Sequence, residues 1–463
     1  MKIKLITLGA IALSLATSAF ADVAVTITGA TAFRAATLKA IRAKFDASGV
    51  AYKFAHDQTS SGGTFYSGAT RSIWIGTFPG VAGTTTIRTC FTGSVEGIRA
   101  LVPVTDPLPP TYYQPALLDS TTAVVGGAEL ANQGTTGAAT ATSDIAFSDV
   151  TKSSTPYGSF SLLPASPAAG VIVFTMLTNE GSTITNVTAQ QFRALMARGF
   201  QPLSLFTGNA ADTTLVFPTG RNDGSGTRTT YMAETGVGIT TGVHQYVPVH
   251  SSSTAILALQ EVPAGGTNDT DSGTAGVQLP AGSDIDSYNT VNSGIVATTQ
   301  NAKNASTVWS QDVDGNGGYD SGSTLRGDMG KTGASVVVFD ALGAYFDTSA
   351  PIRADLVTWL SLNDAVTART NGAVFCGYNG VKLDVTDNTN TTMTAADKAK
   401  ITEGAYTAWG FENMYRRAAL TSGDAVTVFD GIKAAIPTNL ASAGIALTDM
   451  HVGRAVDGGT VAP

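Results

Sequence analysis

Cysteine and histidine are scarce in this sequence, with two Cys and four His among 463 residues. That excludes a disulfide scaffold, a Cys-rich zinc module and an Fe–S protein. Charge is scarce too. Charged residues make up 13%, the formal net charge is -8, and there is no basic block, so a general nucleic-acid binder is excluded. After the first residues no apolar run has the length of a membrane span. There is no G-x-S-x-G elbow. Gly330-Lys331-Thr332 ends like a phosphate loop, but Leu325 occupies the position of its first Gly, so a Walker motif fails. His56, His244, His250 and His451 lack zinc spacing and read as surface or capping residues. The acidic residues are too scattered to nominate a catalytic pair, and with no nucleophile–base set the chain reads as a non-enzyme.

What is plentiful is apolar and small. Hydrophobic residues make up 43%, enough for a sizeable core, and 51 Gly supply many turns. The N-terminus reads as an address. Lys2 and Lys4 precede the apolar stretch Leu5 to Ala16, and Ala19-Phe20-Ala21 is an A-x-A cleavage site. Residues 1–21 are thus expected to be a signal peptide, with a mature periplasmic or secreted chain from Asp22 and no integral membrane segment. That compartment permits a Cys90–Cys376 disulfide; two buried free thiols are the alternative, and spacing does not choose between them.

Along the mature chain, Val23 to Ile27 reads as a buried strand. Gly29-Ala30-Thr31 breaks it, and Phe33, Leu38, Ile41 and Phe45 then fall at helical spacing. Thr86 to Phe91 is a second strand, followed by Gly93-Ser94 and a helix through Val95, Ile98 and Leu101. The repeated strand–turn–helix pattern argues for α/β architecture with parallel strands. Residues 103–118 are Pro-rich and read as a loop. Asp144–Asp149, Val171–Leu177, Thr214–Phe217, Ser335–Phe339 and Ala373–Tyr378 read as strands. Thr188–Arg198, 228–235 and Ile352–Leu362 read as helices, and Ile401 to Tyr415 carries aromatics that should pack on a core. Residues 264–308 are rich in Gly, Thr, Asn, Ser and Asp and read as a polar insertion without a core of its own.

Three turns share a physical property. Gly29-Ala30-Thr31, Gly93-Ser94 and Gly224-Ser225-Gly226-Thr227 each join a strand to a helix start. A helix start presents unpaired N–H groups and about half a unit of positive charge. If the three converge, they form an anion cradle without a basic surface, and Arg221 would add a fork of donors suited to an oxyanion. Any single turn is equally an ordinary cap. Ser321-Gly322-Ser323-Thr324 with Arg326 is a looser copy.

Arg221-Asn222-Asp223-Gly224-Ser225-Gly226-Thr227 resembles the R-x-D-x-S-G-T signature of the phosphate-binding (type II periplasmic solute-binding) proteins of ABC transporters. Gly29-Ala30-Thr31, Gly93-Ser94-Val95-Glu96-Gly97-Ile98, Phe147-Ser148-Asp149, Gly377-Tyr378 and Glu403-Gly404-Ala405-Tyr406 with Trp409 are similar to further segments of that family, in the same order. The resemblance implies a two-lobed periplasmic-binding-protein-like fold with polar insertions. Lobe 1 would be 22–155 plus 376–463, and lobe 2 would be 156–375 with an insertion at about 264–330. It implies capture of an inorganic oxyanion, phosphate first, for delivery to an ABC permease. Thr31 and Ala32 would donate backbone N–H groups, Ser94 a hydroxyl and an N–H. Arg221, Ser225, Gly226 and Thr227 would complete the shell. Asp149 would accept a hydrogen bond. A carboxylate only accepts, so it favours an anion that still carries a proton. The rival expectation is an extracellular or cell-surface structural or interaction protein on the same fold, without transport.

No organic cofactor is expected. A second candidate site is Asp312, Asp314, Asn316 and Asp320, oxygen ligands around Gly315 and Gly317-Gly318 that suit Ca²⁺. Ser323 stands where an EF-hand would need Glu, so the loop is incomplete, and an Asp/Asn/Gly turn is the alternative.

Overall fold

The computed structural model describes residues 22–103, 109–164, 168–261, 284, 288, 318–319, 321–341, 343–383, 385, 393–440 and 444–463. The expected signal peptide and the four calcium candidates Asp312, Asp314, Asn316 and Asp320 lie outside the described residues.

The principal strands are β1 (Val23–Gly29), β2 (Lys53–His56), β3 (Arg71–Gly76), β4 (Thr85–Cys90), β5 (Ile145–Ser148), β6 (Gly170–Thr178), β7 (Leu215–Pro218), β8 (Tyr246–Ser251), β9 (Ile256–Glu261), β10 (Val337–Phe339), β11 (Ala354–Ser361), β12 (Val374–Tyr378) and β13 (Trp409–Arg417). The helices are α1 (Arg34–Ala47), α2 (Ser94–Leu101), α3 (Ala189–Arg198), α4 (Gly226–Glu234), α5 (Gly322–Met329), α6 (Leu362–Thr370), α7 (Ala395–Thr402) and α8 (Asp424–Asn439), with a further turn at Ser204–Thr207. The architecture is mixed α/β, as the sequence pattern implies. One path of paired strands runs β7-β11-β6-β13-β5-β1-β4-β3-β2. β1 is parallel to β4 and β5, and β7 to β11, whereas β2–β3–β4 are antiparallel.

Two long strands carry this path across the molecule. All nine residues of β6 are buried, and its run of Val, Ile, Phe, Thr, Met and Leu suits a strand covered on both faces. Its first residues pair with β13, Gly170 with Glu412 through Val173 with Trp409. Its later residues pair with β11, Phe174 with Ser361 through Thr178 with Val357. β13 then pairs onward with β5. One apolar cluster extends under the whole crossing and includes Phe33, Phe147, Phe174, Trp359 and Trp409.

Local signals set the helix ends. Thr188 and Gln191 form a reciprocal capping box at α3, with bonds of 3.1 and 2.8 Å, and Gly199 ends the helix in the left-handed region. β11 corrects the helical reading of Ile352–Leu362. All eight of its residues are buried between β6 and β7, so no alternation survives in the sequence, and such a run cannot be told from a buried helix by period alone. The helix starts only at Leu362. The 103–118 stretch holds a short strand, Thr111–Tyr113, paired with Ala138–Thr140, because Tyr112 and Tyr113 are buried. His56 also departs from expectation. It is fully buried beside the Phe54–Trp74 stack, and its Nε2 lies 2.7 Å from Glu129 Oε1. At the far end of the 264–330 stretch, Tyr319, Leu325 and Met329 enter the main core. Ser321 caps α5 and Arg326 pairs with Asp364, which gives the looser copy of the anion loop a structural role.

Candidate functional site

The strand–turn–helix joints meet at one place beside the β6–β13 crossing. Gly29 O accepts from Gly93 N at 3.0 Å, and Phe147 O accepts from Ala30 N at 2.8 Å. Gly224 O accepts from Val95 N and Glu96 N at 3.1 and 3.4 Å. Asp149 N donates to Ser94 Oγ at 3.2 Å. The starts of α2 and α4 therefore face each other across the end of β5. Glycine is required at two of these joints. Gly93 has φ 133°, and a Cβ there would lie 2.4 Å from Gly224 O. A Cβ on Gly226 would lie 2.3 Å from Ser94 Oγ and 2.7 Å from Asp149 Oδ2.

The residues singled out in the sequence fall as follows. Ser94, Asp149 and Gly226 are in direct contact. Ser225 caps α4, its Oγ accepting from Arg228 N at 3.4 Å, and Thr227 is buried in the first turn of α4. Arg221 is buried and its Nε donates to Tyr319 O at 2.9 Å. Its charge acts on Asp149. Thr31 and Ala32 lie at the approach to α1. Among the described residues the bonds that join the turns run through Gly29 and Ala30 rather than through those two.

Burial pushes the Asp149 carboxyl up from its ordinary value; the adjoining Glu412 and Ser94 side chains and the Arg221 charge pull it back. Asp149 Oδ1 is buried and accepts from no donor among the described residues. Glu412, which the sequence reading did not single out, is fully buried on β13. Burial, with the adjacent Asp149, pushes its carboxyl well above the ordinary range. The signal available in the sequence was one acidic residue inside the otherwise strand-like run Trp409–Met414.

Asp223 is partly buried beside Arg228 and Arg99. Burial raises its carboxyl, and the charges of Arg228 and Arg99 oppose that. It borders a cavity of about 380 Å³ lined also by Glu96, Arg99, Tyr157, Arg228 and Thr240. Glu96 and Arg99 form an ion pair on α2.

The Cys90–Cys376 pairing is not formed; both are buried free thiols. Cys90 ends β4, whereas Cys376 pairs with Met176 on β6, with its Sγ 3.2 Å from Ile184 O. Three strands of the path, β13, β5 and β1, separate β6 from β4. Burial pushes the Cys376 thiol up to about 12, which leaves it unreactive at neutral pH. Among the described residues no group of three or more His, Cys, Asp or Glu is placed to hold a metal ion, and no helix is long and apolar enough to cross a membrane.

No family model and no curated protein sequence matches the chain. Among solved structures it is similar to an ABC-type phosphate transport receptor from Vibrio cholerae, at 10% identity over 91% of this chain and 99% of that one, with TM-score 0.40. It is also similar to a phosphate-binding protein from Stenotrophomonas maltophilia, at 14% identity over 92% and 91% of the two chains, with TM-score 0.34.

Proposed function

We propose that this chain is an exported solute-binding protein that captures an inorganic oxyanion, phosphate first, where the starts of α2 and α4 meet, and passes it to a membrane permease without chemistry. In this reading residues 22–155 with 376–463 form one lobe and 156–375 the other, and the site lies between them in a periplasmic or secreted protein. The observation that supports it most is the unpartnered, buried Asp149 Oδ1 among Ser94, Gly226 and the charge of Arg221. An acceptor-only group among N–H and O–H donors discriminates in favour of an anion that carries a proton, as hydrogen phosphate does. Helix-start dipoles and one guanidinium supply the attraction.

The test is isothermal titration with phosphate, sulfate and arsenate. Phosphate should give saturable heat, and sulfate much less. Arg221→Ala should weaken phosphate at least about tenfold, the loss expected for one charge-assisted contact. Unchanged affinity would remove Arg221 from the site. One observation favours the structural rival: the 93–96 and 224–226 turns already bond to each other directly. Absence of heat and of any thermal shift with all three anions would decide for that rival.

A further inference from the structure

The pairing of β13 with β5 runs antiparallel, with Met414 opposite Phe147 and Asn413 opposite Ser148. One step further along both chains come Glu412 and Asp149. Residues opposite each other in such a ladder project from the same face with Cβ atoms about 5 Å apart; Asp149 follows directly on the last paired residue of β5, and the two carboxyls act on each other electrostatically. Glu412 is 0% exposed and Asp149 2%. Among the described residues neither Glu412 oxygen, nor Asp149 Oδ1, has a hydrogen-bond partner.

Two acceptors can bond to each other only through a proton. Two buried carboxylates side by side would repel, and each would carry a desolvation penalty of several kcal/mol. One proton held by the pair removes the repulsion and one of the two desolvation penalties. The surroundings decide which residue keeps it. Asp149 has the Ser94 hydroxyl and the Arg221 charge in its favour, with Asp457 against it. Glu412 has only Asp149. On its own strand the nearest titratable neighbour is Tyr415, which feels Glu412 and Asp457 and is itself a buried phenol. Across from Glu412 on β6 stands Gly170, which offers no charge.

We propose that Glu412 is a specificity-determining residue of the anion site, holding a proton at neutral pH and donating it to Asp149, so that the pair carries one negative charge and Asp149 keeps lone pairs for a proton-bearing oxyanion. The proposal rests on the anion-binding reading. Loss of the Glu412 proton would place a second negative charge behind Asp149 and repel the ligand. Affinity for phosphate therefore falls as pH rises through the Glu412 ionisation, beyond any change in phosphate itself. Glu412→Gln keeps a donor toward Asp149 and cannot ionise, so it lacks that fall.

The experiment titrates the full chain and E412Q with inorganic phosphate at about pH 6 to 10, and records the infrared difference spectrum between the two ligand-free proteins at neutral pH. The expected result is a protonated-carboxyl C=O band present in the wild type and missing in E412Q. Between neutral and alkaline pH the wild type should lose at least about tenfold more affinity than E412Q, the effect of about 1.4 kcal/mol of added repulsion. Bound phosphate with parallel pH profiles overturns the specificity role while leaving the anion reading in place. Absence of the band overturns the protonated state. No phosphate heat from either protein overturns the anion reading and the role built on it, and the band then still reports where the proton sits. Should E412Q fail to fold, the wild type decides alone, because its band must vanish over the same pH interval in which affinity is lost.

Discussion

At the residue scale, Glu412 ties stability to pH. Burial first, then the Asp149 charge, raises its carboxyl well above the ordinary 4.5, so the folded chain holds this proton more tightly than the unfolded chain does. The sign follows from linkage. A carboxyl raised on folding contributes its full stability below its unfolded value of about 4.5 and loses it progressively as pH rises toward the folded value. The melting temperature of E412Q relative to wild type should therefore climb between about pH 5 and pH 8. A constant difference in scanning calorimetry across that range would show that Glu412 is already ionised in the fold. Ser94, Asp149 and Gly226 were legible in the sequence because turn chemistry marks them locally: a Gly–Ser helix start, a polar end to a short strand, a Ser-Gly-Thr cap. Glu412 was not, because its meaning depends on which strand lies opposite. The Asn413–Ser148 register joins residues 265 positions apart, and no local pattern encodes that.

At the element scale, the fit between the starts of α2 and α4 is set by backbone rather than by long side chains. Val95 N and Glu96 N reach Gly224 O, and Gly226 presents bare backbone to Ser94 and Asp149. Gly226→Ala should open this fit, since its methyl would sit 2.3 Å from Ser94 Oγ, an atom already bonded to Asp149 N. Overpacking of this kind costs about 1–3 kcal/mol, so urea unfolding should shift its midpoint down with an unchanged slope. Phosphate heat should disappear as well. Intact phosphate binding in G226A would mean that the ligand sits elsewhere. Elements with mixed exposure were readable from sequence, as α3 illustrates. β11 was not, because a strand covered on both faces carries no alternation and its Val-Thr-Trp-Leu run fits either element. The three-stranded sheet of β8, β9 and β10 went unread for a related reason, since its strands come from segments on either side of the polar 264–330 stretch.

At the scale of the whole molecule, residues 451–463 fasten parts that are far apart in the chain. Asp457 Oδ2 accepts from Thr151 N and Thr151 Oγ1, both at 2.8 Å, just beyond the Asp149 turn. Three residues earlier, Arg454 Nη1 meets Glu234 Oε2 at 2.8 Å at the last residue of α4, Nη2 donates to Thr407 O at 2.7 Å, and the guanidinium lies 4.2 Å over the Trp409 ring. Gly458 presses on Ala233. The segment thus spans from the end of β5 to the end of α4, the two elements whose other contacts border the proposed anion site. Any opening that separates α4 from β5 must break these bonds first. The Arg454–Glu234 pair is buried on both sides, so removing Arg454 leaves an uncompensated carboxylate at a cost of about 3–5 kcal/mol. Asp457 is the milder handle, because it holds through two hydrogen bonds worth about 1 kcal/mol each. Asp457→Ala should leave the chain folded while raising the radius of gyration of the ligand-free protein in small-angle X-ray scattering, and saturating phosphate should return it to the wild-type value. Arg454→Ala should do the same with a lower unfolding midpoint. If both variants scatter like the wild type without ligand, the segment is packing alone, and the contacts between the 93–96 and 224–226 turns are sufficient to hold the molecule closed.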